Sequence, residues 1–123
     1  MRKSILVIED EVDMREAITT ALENADYHVI TAENGQEGLD KALEHEPDLI
    51  LLDLLMPVMG GQEVLKRLHE HPYGETAKVI ILTAMDDITN VGEAYEAGIS
   101  GYITKSETSL SELVTQVKET IGA

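Results

Sequence analysis

Five side chains that could bind a metal ion or stabilise a charged group stand at the ends of short apolar runs. They are Glu9, Asp10, Asp53, Thr83 and Lys105. Three carboxylates at one place would repel each other and raise one another's pKa values unless a cation lay among them. Oxygen ligands without Cys or His favour a hard ion, and a few carboxylates with room for water favour Mg²⁺ over Ca²⁺. We therefore expect a Mg²⁺ site at Glu9, Asp10 and Asp53, which Mn²⁺ would also occupy.

The same residues predict phosphoryl chemistry at Asp53. An aspartate carboxylate is a suitable phosphoryl acceptor, and in-line transfer requires positive charge near the equatorial oxygens of the transferred group. Mg²⁺ would neutralise one oxygen and the Lys105 ammonium a second, while the Thr83 hydroxyl and the Ala84 N–H would bind a third. The small Ala84 side chain would also leave space beside the carboxylate for the phosphoryl group.

Apolar runs alternate with amphipathic segments along the chain. The predicted strands occupy residues 5–8, 27–31, 49–52, 79–82 and 101–103. Their continuous apolar character is typical of strands buried on both faces of a parallel sheet. Asp13 with Glu16, and Ser109 with Glu112, match the capping-box pattern of helix starts. The four residues from His71 to Gly74 are expected to end the third helix, and the fourth helix has only a weak apolar pattern over residues 88–95.

Five strands alternating with five helices predict a doubly wound α/β fold with a parallel sheet covered on both faces. Ligands of such sheets lie beyond the carboxyl ends of the strands, close to the point where the strand order reverses. The five candidate side chains all follow predicted strands, so we expect this edge of the sheet to be the functional site.

Length and composition narrow the class of protein. A chain of 123 residues fits one domain, over residues 1–123. Nine Lys and Arg against 24 Asp and Glu give a net charge of −15, which disfavours nucleic acid and anionic membranes as partners. The absence of cysteine excludes disulfides and thiol chemistry. The first apolar stretch is too short for a signal sequence or a membrane span, so we expect a cytoplasmic protein.

Four segments together resemble the receiver domain of response regulators, over essentially the whole chain. They are Ile-Glu-Asp-Glu at residues 8–11, Asp-Leu-Leu-Met-Pro-Val-Met-Gly-Gly at 53–61, Thr-Ala at 83–84 and Gly-Tyr-Ile-Thr-Lys at 101–105. The resemblance implies a flavodoxin-like fold with strand order 2-1-3-4-5. It also implies phosphotransfer to Asp53 from a histidine kinase or a histidine-phosphotransfer protein. No enzymatic activity is implied beyond self-catalysed phosphorylation and dephosphorylation of Asp53.

Further roles follow from this resemblance alone. The backbone carbonyl of Leu55 would complete the metal shell, with Asp10 a direct ligand and Glu9 a contact through water. Tyr102 would be a switch aromatic that responds to movement of Thr83. The surface of the predicted fourth helix, fifth strand and fifth helix would then change and bind a downstream effector protein. The chain itself would be a monomer or a weak phosphorylation-dependent dimer.

Two positions depart from the family pattern. The family usually has Pro after the active-site lysine and Asp before the glycine that begins the third helix, whereas this chain has Ser106 and Gly60. The Lys-Pro bond of the family is typically cis, but a cis bond to a residue other than proline costs about 3–4 kcal/mol. A trans Lys105–Ser106 bond is therefore favoured, and the placement of the Lys105 amine becomes a point for the structure to decide.

Three other interpretations fit parts of the sequence. A degenerate receiver would act as a constitutive protein-interaction module, but the intact acidic residues and Lys105 argue against it. A haloacid-dehalogenase-like phosphatase also uses an Asp nucleophile with Mg²⁺, yet it needs a second acid two residues later, where this chain has Leu55. A flavodoxin-type flavin carrier would need a hydroxyl-rich phosphate loop after the first strand, and the acidic residues 9–11 would repel a phosphate.

Overall fold

The predicted alternation of strands and helices folds into one sheet with helices on both faces. The computed structural model describes residues 2–54, 56, 58–83, 99–105 and 108–122, and for Thr83 only the backbone. The strands are β1 (Ser4–Ile8), β2 (His28–Ala32), β3 (Leu49–Asp53), β4 (Val79–Thr83) and β5 (Gly101–Thr104). The helices of these residues are α1 (Val12–Asn24), α2 (Gly35–His45), α3 (Gly61–Leu68), α4 (Pro72–Thr76) and α5 (Leu110–Ile121).

All four strand pairings are parallel, and the strand order is β2-β1-β3-β4-β5. This is the flavodoxin-like order that the resemblance to receiver domains implies, with the reversal between β1 and β3. No helix in the described part of the chain has the length and apolar character needed to cross a bilayer.

The sheet is buried on both faces, which explains the unbroken apolar runs. Along β1, Leu6 and Ile8 pack into the core cluster that includes residues of α2 and α3. Ile5 and Val7 alternate with them and pack into the opposite cluster, which includes residues of α1 and α5. Burial of one such side chain stabilises the fold by roughly 1.5–3 kcal/mol. The two cores together hold the central strands in register.

That register places the candidate functional residues at one edge of the sheet. Ile8 pairs with Leu52, so Glu9, the residue after β1, and Asp53, the last residue of β3, lie at the same level. On the other side, Thr83 pairs with Thr104, the residue before Lys105. The polar side chains thus emerge together because the apolar runs before them are aligned.

The start of α3 packs against the end of β3 through a glycine. A Cβ atom on Gly61 would lie 2.7 Å from the carbonyl oxygen of Asp53, and the Gly61 N–H donates to the Leu54 carbonyl over 3.0 Å. Gly60, which stands where the related family usually has Asp, is the N-cap of α3 and provides no side-chain cap. The close approach of Gly61 fixes the backbone that carries Asp53 at the sheet edge.

The helix starts test the sequence patterns directly. The capping box at the start of α5 is confirmed, because the Ser109 hydroxyl accepts from the Glu112 N–H and the Glu112 carboxylate accepts from the Ser109 N–H. The capping box proposed for Asp13 and Glu16 is wrong. With Asp13 as N-cap the helix would begin at Met14, but α1 begins two residues earlier, at Val12, and its N-cap, Glu11, makes no side-chain cap hydrogen bond.

A short helix was not expected between α3 and β4. The sequence predicted only that residues 71–74 end a helix, and α3 does end before them, at Leu68. Pro72 then begins α4, since proline fits the first turn of a helix, where its missing N–H is not needed. The predicted helix over residues 88–95 and the Lys105–Ser106 bond lie outside the described residues.

Val58, in the segment between β3 and α3, has an unfavourable backbone conformation. Its φ is +70°, a region that a β-branched residue rarely adopts, and its side chain is 82% exposed. We predict that Val58→Gly raises the free energy of unfolding by about 1 kcal/mol, because glycine adopts this φ without a steric penalty.

The control is Val12→Gly, at an exposed position in the first turn of α1. Glycine should lower stability there by about 0.5 kcal/mol, since it only adds conformational freedom to the unfolded chain. Urea unfolding measures both variants. A Val58→Gly variant less stable than the parent chain would contradict the claim that the backbone of Val58 is strained.

Candidate functional site

Three carboxylates meet at the carboxyl ends of β1 and β3. Glu9 and Asp10 lie in the turn after β1, and Asp53 is the last residue of β3. Carboxylate oxygens of the three residues lie within 4.8 Å of one another. Glu9 is fully buried, Asp53 is 4% exposed and Asp10 is half-buried. The sheet therefore holds three acidic groups close together and largely away from solvent.

The Lys105 ammonium lies between two of these acids. Its Nζ is 2.7 Å from Glu9 Oε1 and 3.1 Å from Asp53 Oδ2, and both contacts are hydrogen-bonded ion pairs. A third carboxylate, that of Glu11, lies 3.8 Å from the same Nζ. The departure from the family at Ser106 therefore does not keep the Lys105 amine away from the strand-end acids.

The pKa values reflect both the burial and the crowding of these groups. The pKa of Glu9 is raised to about 8, chiefly by burial and then by the neighbouring Asp53, whose effect is larger than the opposing effect of Lys105. Burial, followed by the nearby Asp53, also raises the pKa of Asp10. For Lys105, burial lowers the pKa, but the hydrogen bond to Glu9 and the charges of Asp53 and Glu9 raise it by more. The Lys105 ammonium therefore stays charged, while the raised pKa values of Glu9 and Asp10 favour a proton or a cation at those two carboxylates.

One oxygen of the cluster tests whether a metal ion fits. Glu9 Oε2 is buried and has no hydrogen-bond partner among the described residues. A buried carboxylate oxygen without a partner is costly, and a cation would remove that cost. The donor set of Glu9, Asp10 and Asp53 is all oxygen and anionic, which suits a hard divalent ion such as Mg²⁺. The residues present therefore fit the predicted ion.

The structure describes the remaining predicted residues only in part. Thr83 ends β4 beside Thr104, and its side chain is outside the description. Leu55 and Ala84 also lie outside the described residues. Tyr102 lies on β5 with 43% of its surface exposed, and its carbonyl oxygen accepts from Gln116 Nε2 over 3.2 Å. The roles assigned to Leu55, Thr83, Ala84 and Tyr102 stay predictions.

Two residues near the acids were missed in the sequence. Glu11 approaches Lys105, as described above, and the Arg15 guanidinium donates from Nη1 to the backbone carbonyl of Glu9 over 2.8 Å. A signal for Arg15 did exist. It is the single Lys or Arg between Lys3 and Lys41, and it lies within a stretch rich in acids, residues 9–16. A lone cation in such a run is a candidate partner for the acidic turn.

Comparisons with known proteins give a family match over most of the chain. The family model described as "Response regulator receiver domain" matches residues 5–118. The phosphate regulon transcriptional regulatory protein PhoB of Pseudomonas aeruginosa is 39% identical over 116 residues, covering 94% of this chain and 50% of PhoB. The transcriptional regulatory protein ResD of Bacillus subtilis is 40% identical over 114 residues, covering 93% of this chain and 46% of ResD. The chain thus spans about half the length of these curated relatives.

Solved structures give the same result at the level of the fold and the family. The chemotaxis response regulator CheY4 of Vibrio cholerae superposes with a TM-score of 0.90 at 26% identity. The match covers 98% of this chain and 99% of CheY4. The similarity therefore extends over the complete sheet and its helices rather than over the acidic cluster alone.

Proposed function

Because this chain belongs to the response regulator receiver domain family, we propose that it accepts a phosphoryl group on Asp53 in two-component signal transduction. The donor is a phosphohistidine of a histidine kinase or a histidine-phosphotransfer protein. The observation that carries the proposal is the contact of Lys105 Nζ with Asp53 Oδ2, 3.1 Å long, inside a buried acidic cluster. It puts a fixed positive charge beside the one acid that ends a central strand.

The chemistry follows from these positions. A carboxylate oxygen of Asp53 forms the new O–P bond as the P–N bond to the donor histidine breaks, and the imidazole leaves with its electron pair. Lys105 neutralises charge on a phosphoryl oxygen, and the Thr83 hydroxyl and Ala84 N–H are assigned to another. Mg²⁺, held by Glu9, Asp10, Asp53 and the Leu55 carbonyl, supplies further positive charge when it is bound. Hydrolysis of the aspartyl phosphate at the same site resets the chain.

The partners and location complete the proposal. The chain exchanges phosphoryl groups with its donor in the cytoplasm and passes the signal to a downstream effector protein. Its net charge of −15 supports a protein partner over direct contact of these residues with nucleic acid. The contacts of Lys105 with Glu9 and Asp53 favour this function over a constitutive interaction module, which has no use for an ammonium fixed between buried acids.

The test of Asp53 uses a small phosphodonor, so that no cognate kinase is needed. With phosphoramidate and Mg²⁺, we predict that the chain gains the mass of one phosphoryl group and that Asp53→Asn gains none, because the amide is not a nucleophile. Asp40→Asn, which changes an acid on the exposed face of α2, is the matched control and should be labelled like the parent. Intact-mass spectrometry measures all three. Equal labelling of Asp53→Asn would show that another residue is the acceptor.

We also assign the output to the surface of β5, α5 and the segment 88–95. A phosphoryl group on Asp53 adds strong acceptor oxygens that would draw the Thr83 hydroxyl toward them. The Tyr102 ring, half-exposed on the neighbouring strand, would then move into the space that Thr83 leaves. The phosphoryl group need supply only the free-energy difference between the two arrangements, on the order of a few kcal/mol.

This switch is tested by amide hydrogen exchange with and without beryllofluoride on Asp53. We predict that beryllofluoride changes the protection of residues 88–95 and of β5 in the parent chain. In Thr83→Ala the adduct should still form, but the change at Tyr102 should be largely lost. Unchanged protection in the parent chain, or an undiminished response in Thr83→Ala, would contradict the mechanism.

A further inference from the structure

The turn that carries the two strand-end acids is held by its backbone on two sides. The Glu9 N–H donates to the Ala32 carbonyl of β2 over 3.0 Å. The Glu9 carbonyl accepts from Arg15 Nη1 over 2.8 Å. That carbonyl belongs to the peptide unit joining Glu9 to Asp10, and a peptide unit is planar. A donor that fixes this oxygen therefore fixes the plane from which both carboxylate side chains project.

Among the residues that the structure describes, no side-chain cap hydrogen bond restrains the start of α1. The N-cap residue, Glu11, makes no side-chain cap hydrogen bond, and its carboxylate lies near Lys105 instead. The backbone of Arg15 is itself held in place within α1. Its N–H donates to the Glu11 carbonyl over 2.9 Å, and its carbonyl accepts from the Thr19 hydroxyl over 2.7 Å. The guanidinium thus connects a rigid helix to the acidic turn.

We propose that Arg15 is a positioning residue of the metal site: it orients the Glu9–Asp10 peptide so that both carboxylates face the ion, without being a ligand. The inference rests on the proposed function, since it assumes that Mg²⁺ binds at these acids. Residues that orient metal ligands typically change metal affinity about 10–100-fold when they are replaced.

Electrostatics alone predicts the opposite effect. Arg15 is a cation close to a cluster that binds a cation, so removal of its charge should strengthen Mg²⁺ binding. Loss of the hydrogen bond should weaken Mg²⁺ binding, because the peptide plane is then free to turn. The sign of the change in affinity therefore distinguishes a positioning role from a simple charge effect.

The experiment is a calorimetric titration of the full chain with Mg²⁺ alone. We predict that Arg15→Met weakens Mg²⁺ binding about tenfold. Arg15→Lys should recover part of the affinity, because its ammonium keeps one donor of the same charge. Arg67→Met is the matched control, since it removes the same charge from α3, where Arg67 pairs with Glu63. It should stay within about twofold of the parent chain.

A second measurement separates positioning from a merely structural loss. At saturating Mg²⁺, phosphoramidate should label Arg15→Met at a rate within about threefold of the parent, because the filled site has regained its arrangement. Urea unfolding with and without Mg²⁺ tests whether the Arg15→Met variant is folded. If Arg15→Met does not fold, Arg15→Lys and Arg15→Gln are titrated in its place, and parent-like affinity in both overturns the inference.

The possible outcomes are distinct. A parent chain that binds no Mg²⁺ refutes the proposed function, whatever the variants do. A parent that binds Mg²⁺, together with an Arg15→Met variant that binds it equally or more tightly, refutes the positioning role alone. A rate at saturating Mg²⁺ that falls by more than about threefold would also overturn it, because Arg15 would then act on the phosphoryl transfer itself.

Discussion

The repulsion among Glu9, Asp10 and Asp53 is the constraint on which the rest of the site depends. Carboxylate oxygens within 4.8 Å of one another repel by at least roughly 3.5 kcal/mol per ionised pair at an effective dielectric constant of about 20. The Lys105 ammonium offsets part of this repulsion through Glu9 and Asp53. Glu9 Oε2 still has no partner among the described residues, and burial raises the pKa of Glu9 to about 8. A cation at this site would therefore reduce the electrostatic free energy, and without one the close carboxylates destabilise the fold.

The fold keeps the three acids together despite their repulsion, because apolar packing determines where the strands end. The central strands are buried on both faces, and their register leaves no freedom to separate Glu9 from Asp53. The close contact of Gly61 with the Asp53 carbonyl and the hydrogen bond from Arg15 to the Glu9 carbonyl restrain the two acidic segments from outside the sheet. Hydrophobic burial thus supplies the energy that holds like charges together, and a cation bound among the three acids would relieve their repulsion.

Residue patterns were sufficient for the features that depend on local chemistry. Apolar runs gave the five strands, and a Ser-to-Glu spacing gave the start of α5. The same three-residue spacing gave a wrong prediction at Asp13, because α1 begins before that residue. The N-cap of α1 is Glu11, whose carboxylate lies close to Lys105 and does not cap the helix. The short helix α4 was missed, since Pro72 and Gly74 favour a break and only its place at the first turn makes Pro72 compatible with a helix. The lone positive charge of Arg15 among acids indicates a partner in the acidic turn, but the contact was missed because the acceptor atom is a backbone carbonyl, which the side-chain pattern does not identify.

The most direct test of the central claim is the free energy of urea unfolding of the parent chain and of Asp53→Asn, each with and without Mg²⁺. Without Mg²⁺, removal of the Asp53 charge should relieve repulsion and make the variant more stable than the parent. With Mg²⁺ at a hundred times its dissociation constant, the parent should gain about 2.7 kcal/mol, and the variant should gain far less. A variant that is less stable than the parent without Mg²⁺, and that gains as much stability from the ion, would contradict the account.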